Sequence, residues 1–171
     1  TRVAGAGASL HWPGVMLEAA RMDGEWLRLP RLQRREQALP LLVLLDVSGS
    51  MERYARLLLA SLHAATRPKG DAHGRIDVFA FGTHLSDLTP AFKLGDTDAM
   101  LAKASLVIDD FAGGTRLGES LRQLRQCHAR RLLGRRSLVL LSTDGLDTGE
   151  AALLDTELGW LCRSCRRLLW L

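Results

Sequence analysis

Three cysteines in 171 residues, Cys127, Cys162 and Cys165, are few and odd in number, which argues against a secreted domain stapled by disulfides. Lysine is almost missing too. Lys69, Lys93 and Lys103 are the whole complement, so the net charge of +4 is carried by arginine. The arginines gather at Arg28, Arg31, Arg34 and Arg35, again between Arg122 and Arg136, and at Arg163, Arg166 and Arg167, where helix surfaces should face water. Aromatic residues make up 5% of the chain and do not interleave with those clusters, so bases would find no stacking platform and nucleic acid is not the expected partner. No apolar run approaches the roughly 18 residues that cross a bilayer. No Gly-x-x-x-x-Gly-Lys-Ser/Thr loop is present, which excludes nucleotide hydrolysis of that kind. Internal repeats and low-complexity tracts are absent as well.

With 47% apolar and 25% charged residues, the chain has the make-up of a globular protein with one main domain. It begins at Thr1 and not at Met, which reads as a fragment or a processed chain, and any targeting signal would lie outside it. Residues 1–38 read as an irregular, arginine-rich lead-in with at most a short helix around 15–22. From residue 39 the pattern sharpens. Leu41-Leu42-Val43-Leu44-Leu45 is an unbroken apolar run ending in Asp46-Val47-Ser48-Gly49-Ser50, the signature of a strand covered on both faces. A helix follows with Met51, Tyr54, Leu58, Leu62 and Ala65 as its apolar face, stopped by Arg67-Pro68-Lys69-Gly70.

Residues 76–81 are the next strand, and 84–89 a weaker edge strand closed by Pro90. A helix over 96–108 should turn Met100, Leu101, Ala104 and Val107 inward. Gly113-Gly114-Thr115 opens another, with Leu117, Leu121 and Leu124 inward. Residues 137–142 are a second buried strand ending in Thr143-Asp144-Gly145, followed by a helix over 151–163 and a last strand at 167–171. Alternating strands and helices predict an α/β fold: a mostly parallel central sheet with helices on both faces and one antiparallel edge strand. On the 151–163 helix, Leu154, Leu158, Leu161 and Cys165 share one stripe. That places Cys165 in the core as a small apolar residue, against a zinc site built from Cys162, Cys165 and the Cys127-His128 pair.

In open α/β sheets ligands bind beyond the carboxyl ends of the strands. Three polar segments fall at that edge: Asp46-x-Ser48-x-Ser50, Thr115 in its Gly-Gly-Thr loop, and Asp144. Hydroxyls and carboxylates are hard oxygen ligands, which select Mg²⁺, Mn²⁺ or Ca²⁺ over softer metals. Gly49, Gly113, Gly114 and Gly145 would let the backbone turn and approach the ion. Any one of these segments alone reads as helix capping and turn chemistry. The ordered set points to a metal site made of Asp46, Ser48, Ser50, Thr115 and Asp144.

Those residues resemble the metal-ion-dependent adhesion site (MIDAS) of von Willebrand factor A (VWA) domains, a Rossmann-like fold, over about residues 39–171. The resemblance implies Ser48, Ser50 and Thr115 as direct or near-direct ligands, with Asp46 and Asp144 acting through water or hydrogen bonds. Leu45-Asp46-Val47-Ser48-Gly49-Ser50-Met51, Val78-Phe79-Ala80-Phe81-Gly82-Thr83, the block from Asp110 through Gly113-Gly114-Thr115-Arg116-Leu117-Gly118-Glu119-Ser120-Leu121, and Ser142-Thr143-Asp144-Gly145-Leu146-Asp147 resemble the CoxE-like bacterial VWA proteins in particular. The lead-in and the closing Arg167-Leu168-Leu169-Trp170-Leu171 are similar to that family as well, which typically continues into a further helix. Membership would imply a cytoplasmic, non-enzymatic adaptor. It would work with a MoxR-type AAA+ ATPase in maturing a client metalloenzyme and bind a partner's Asp or Glu through Mg²⁺.

Two other classes remain open at this stage. An extracellular VWA adhesion module is disfavoured by the odd cysteine count and the CoxE-like middle block. A metal-dependent phosphatase-like hydrolase would need a second acid two residues after Asp46, where Ser48 stands, and no histidine is set to act as base: His63, His73 and His84 fall on a helix, a loop and an edge strand.

Overall fold

The computed structural model describes residues 2–4, 8–22, 29–33, 38–66, 74–108 and 114–171. The stop at 67–70, His73, the 110–113 half of the Gly-Gly-Thr block and Arg28, Arg34 and Arg35 lie outside the described residues. The chain divides into two compact units, Thr1–Gln37 and Ala38–Leu171.

The first unit is more ordered than the irregular lead-in expected for it. Strands β1 (Arg2–Ala4), β2 (Ser9–Leu10) and β3 (Arg31–Gln33) form an antiparallel sheet in the order β1-β3-β2. Helix α1 (Trp12–Arg21) starts at His11, whose Nδ1 accepts from Gly14 N at 3.1 Å, with Pro13 in the first turn. Strands of two or three residues are too short for alternation to register, which is why the sequence reads as irregular there.

The second unit is the α/β body. Its strands are β4 (Leu41–Asp46), β5 (Ile76–Phe81), β6 (Leu85–Asp87), β7 (Leu138–Ser142) and β8 (Arg167–Trp170), in the sheet order β6-β5-β4-β7-β8. Every pairing is parallel except β5 with β6, the expected antiparallel edge. β4 is central, so both its faces need cover, and its side chains divide by parity. Val43 and Leu45 enter one core with Val78, Ala80, Met100 and Ala104; Leu42 and Leu44 enter another with Phe79, Phe81, Leu121, Val139 and Leu141. Helices α2 (Glu52–Thr66), α3 (Thr89–Phe92) and α4 (Thr97–Val107) supply the first core. Helices α5 (Leu117–Cys127), α6 (Ala129–Leu132) and α7 (Ala151–Ser164) supply the second. Among the described residues no helix is long and apolar enough to cross a membrane.

Three local expectations need correction. The buried line of α2 is Ala55, Leu59 and His63, flanked by half-buried Leu58 and Leu62, whereas Tyr54 is 64% exposed and Ala65 lies outside. The Leu57-Leu58-Leu59 run leaves the helical phase undecided, and His63 is admitted to the core by hydrogen bonds to Thr97 Oγ1 (3.0 Å) and Leu94 O (2.8 Å). Pro90 does not close a strand; it sits in the first turn of α3, where a missing N–H has no helical partner to lose. On α4, Met100 and Ala104 are buried as expected, but Val107 is exposed and Ile108 takes the inward place.

Candidate metal centre

Parity and register build the floor of the site. Asp46 continues the Leu42, Leu44 series on β4, so its side chain faces the core supplied by α5. In β7, Ser142 pairs with Leu45, and one further step in the same register brings Thr143 beside Asp46. The Thr143 hydroxyl donates to Asp46 Oδ2 at 2.6 Å. Ser48 N donates to Asp46 Oδ1 at 2.9 Å, and Thr115 Oγ1 reaches both carboxylate oxygens, at 3.5 and 3.4 Å. Asp46, Ser48, Thr115 and Thr143 are all buried, Asp46 completely.

The rim is exposed. Ser48 Oγ and Ser50 Oγ are 3.3 Å apart, and Ser50 Oγ donates to Asp144 Oδ2 at 2.5 Å. All five expected site residues are therefore joined by hydrogen bonds into one cluster over the carboxyl end of β4. Gly145 takes φ 79°, a left-handed turn that carries the chain round Asp144 so that Leu146 N can donate to its Oδ1 at 3.0 Å. Among the described glycines it alone has a positive φ, so Gly49 and Gly114 do not need glycine's freedom there; Gly113 lies outside the described residues.

The Thr115 and Asp144 loops are clasped together by residues that motif reading passes over. Asp147 Oδ1 accepts from Leu117 N (3.1 Å) and Gly149 N (3.2 Å), capping α5 from across the site. Thr148 donates twice to Thr115 O, through its N and its Oγ1, each at 2.9 Å, and Thr115 and Asp147 form an isolated parallel bridge. Thr143, Asp147 and Thr148 are thus the missed members of the site. The signal lay in the sequence as hydroxyl and carboxyl groups flanking Asp144, but only the register assigns them partners.

The donor set fits a hard divalent cation. Asp46 is a fully buried carboxylate met only by neutral donors, and among the described residues neither it nor Asp144 has an ion pair. Four hydroxyl oxygens, of Ser48, Ser50, Thr115 and Thr143, lie beside the two carboxylates, which is oxygen chemistry throughout. Among the described residues no three His, Cys, Asp or Glu side chains cluster to offer an alternative metal site. Cys127 and Cys162 are exposed free thiols. Cys165 follows the end of α7 and packs half-buried against the second core, where burial, with Cys162 adding to it, pushes its thiol pKa up. His63 is occupied by Thr97 and Leu94, and His84 Nδ1 by Thr83 Oγ1 at 2.9 Å, so neither hydrogen-bonds to Ser48 or Ser50.

Asp144 has its carboxyl pKa held below 3.8, first by the Ser50 hydroxyl and next by Leu146 N. A depressed folded-state pKa contributes stability that is present above the unfolded value and is lost as pH falls through the lower folded value. The window therefore lies on the acid side of 3.8. In the metal-free chain, Ser50→Ala is expected to raise the Asp144 pKa toward its ordinary value. Carboxyl-carbon NMR titration measures this, and an unmoved midpoint would contradict the Ser50 bond.

A five-stranded sheet with one antiparallel edge, two helical layers and this oxygen cluster at its carboxyl edge define a VWA-type α/β domain. The family model for the VWA domain containing CoxE-like protein matches residues 3–171, and the chain belongs to that family. Solved structures agree on the fold. Proximal thread matrix protein 1 from the mussel byssus superposes with TM-score 0.56 at 17% identity, over 79% of this chain and 38% of its own. A von Willebrand factor type A protein from Catenulispora acidiphila gives 0.54 at 17%, over 78% and 33%. The manganese-loaded TRAP protein of Plasmodium vivax gives 0.54 at 21%, over 80% and 57%. The chain thus spans well under two thirds of the length of these relatives. No curated protein matches the sequence significantly.

Proposed function

We propose that the chain is a metal-dependent protein-binding adaptor, with Ser48, Ser50 and Thr115 as hydroxyl ligands and Asp46 and Asp144 orienting them and the ion's waters. The observation that carries this reading is the convergence of the five side chains around a buried, uncompensated Asp46. Bound Mg²⁺, or Mn²⁺ or Ca²⁺ in its place, would supply a Lewis-acidic position for a carboxylate from outside. Hydroxyl ligands leave the ion most of its charge, so a partner's Asp or Glu is the ligand best suited to complete the shell. A zinc-occupied MIDAS motif in the mussel protein and manganese in the Plasmodium protein are in keeping with a divalent ion on this fold.

The family adds the partners: a MoxR-type AAA+ ATPase and a client metalloenzyme, with the chain as adaptor and not as enzyme. Free, exposed Cys127 and Cys162 suit the reducing cytoplasm we assign it to. The test is Mn²⁺ titration followed by water-proton relaxation, on the wild type and on Ser50→Ala. Wild type should bind one Mn²⁺ weakly, because few direct ligands are charged, and Mg²⁺ should compete. Ser50→Ala should lose the ion with a stability change under about 1 kcal/mol, since Ser50 is exposed and packs against little. Binding that survives the substitution would refute the ligand set.

A further inference from the structure

Arg53 and Arg116 stand where elementary electrostatics least favours a cation. Arg53 lies in the first turn of α2, and Arg116 is the residue immediately before α5. Both positions meet the partial positive charge of a helix amino terminus. Both side chains are exposed, and neither has an ion pair with a described residue, whereas Arg56, Arg75, Arg125 and Arg131 each have a carboxylate. Of the acids nearby, Glu119 in the first turn of α5 keeps its Oε2 buried without a hydrogen-bond partner, and two others are engaged. Glu52 pairs with Arg56 at 3.6 Å, and Asp147 Oδ1 accepts from Leu117 N and Gly149 N.

Their location is specific. Arg53 comes one helical turn after Ser50, and Cα–Cβ bonds in a helix tilt toward its amino end, here toward Ser48 and Ser50. Arg116 directly follows Thr115, and its backbone is fixed by Arg116 N donating to Gly82 O (2.9 Å) and Ser120 N donating to Arg116 O (3.1 Å). In the chain, Arg53 thus stands three residues after Ser50 and Arg116 one residue after Thr115, each beside a proposed ligand. A second cationic group is remote. Arg135, Arg166 and Arg167 sit at the amino-terminal edge of β7 and β8, a strand length of about 15 Å from the carboxyl edge.

We propose that Arg53 and Arg116 are specificity determinants of the metal face, selecting a partner segment that carries several carboxylates and not a lone Asp or Glu. The inference rests on the metal-site reading above. With Asp46 and Asp144 balanced against a bound dication, Arg53 and Arg116 add two exposed positive charges to a face where Asp147 and Glu119 are among the other acids. One partner carboxylate engages the ion, and acids beside it in the same segment engage Arg53 and Arg116. That arrangement accounts for two cations held against the helix dipoles with no ion pair among the described residues.

The test uses the whole chain with Mn²⁺ and two blocked peptides carrying a neutral dye, Gly-Ser-Asp-Ser-Gly and Gly-Asp-Asp-Asp-Gly, followed by fluorescence anisotropy. Three carboxylates against one give a statistical preference of about threefold, and two exposed charge pairs at about threefold each should raise it to about thirtyfold. Arg53→Gln with Arg116→Gln should bring the ratio back to about three, and salt near 0.5 M should do the same in the wild type. The Mn²⁺ midpoint of the double variant should be unchanged or slightly tighter. A wild-type ratio of about three or less, or a ratio that the double substitution leaves unchanged, overturns the assignment. Failure of the metal reading has a separate signature, no relaxation enhancement by Mn²⁺ or equal peptide binding in EDTA, and it overturns this proposal as well.

Discussion

Asp46→Ala is expected to lower folding stability by about 2–4 kcal/mol and to abolish divalent-metal binding. The side chain is fully buried and accepts from Ser48 N, Thr115 Oγ1 and Thr143 Oγ1, one donor from each of three separate loops. Alanine would leave three buried donors without an acceptor, each costing about 1–3 kcal/mol. Relief of a buried charge that has no cation beside it offsets part of that sum, which is why the expectation lies below it. Denaturant unfolding with an unchanged slope measures the loss. Metal sharpens the contrast: an ion at about 100 times its Kd should stabilise the wild type by about 2.7 kcal/mol and the variant not at all. An Asp46→Ala chain as stable as the wild type would mean that water serves the three donors, and the carboxylate would then not be the link between the loops.

The central strands were legible in the sequence because burial on both faces leaves an unmistakable mark. Leu41 through Leu45 is apolar without interruption, and its two parities enter two different cores. α2 was legible as a helix but not in phase. Three consecutive leucines fit more than one face, and the residue that decides the matter, His63, is polar and buried by hydrogen bonds that no hydropathy pattern records. The first unit was misread for the opposite reason, since a sheet of two- and three-residue strands has too little periodicity to detect.

The site divides in the same way. Asp46, Ser48, Ser50, Thr115 and Asp144 could be assembled because strand ends and helix starts are readable and their chemistry agrees. Thr143 could not, since a threonine at a strand end is ordinary until the β4–β7 register sets its hydroxyl 2.6 Å from Asp46. Asp147 and Thr148 were hidden likewise: their work is to hold Thr115 and Leu117, residues about thirty positions away, which sequence spacing alone does not connect.

If the proposed AAA+ ATPase or client protein is the partner, its association is expected to vanish in excess chelator and in Thr115→Ala and Asp144→Ala. The two substitutions remove different things. Thr115 is a buried hydroxyl directed at Asp46, so its loss takes one proposed ligand and one of the donors that orient the carboxylate. Asp144 is an exposed carboxylate that fixes Ser50 at 2.5 Å and carries negative charge beside the proposed ion position, so its loss would free a proposed ligand hydroxyl and weaken attraction for a cation. Neither should unfold the chain. Thr115→Ala leaves Ser48 N and Thr143 Oγ1 on Asp46, and Asp144→Ala acts at the surface. Interferometry with and without EDTA, alongside circular dichroism of each variant, makes the comparison. A loss of about tenfold or more in all three conditions, at unchanged ellipticity, is the expected result. The charge of the partner's carboxylate is then what the ion recognises, and substituting that Asp or Glu by its amide should reproduce the chelator's effect. Undiminished association in chelator would mean that the partner docks away from the carboxyl edge of β4, and the cluster around Asp46 would be a structural staple and no more.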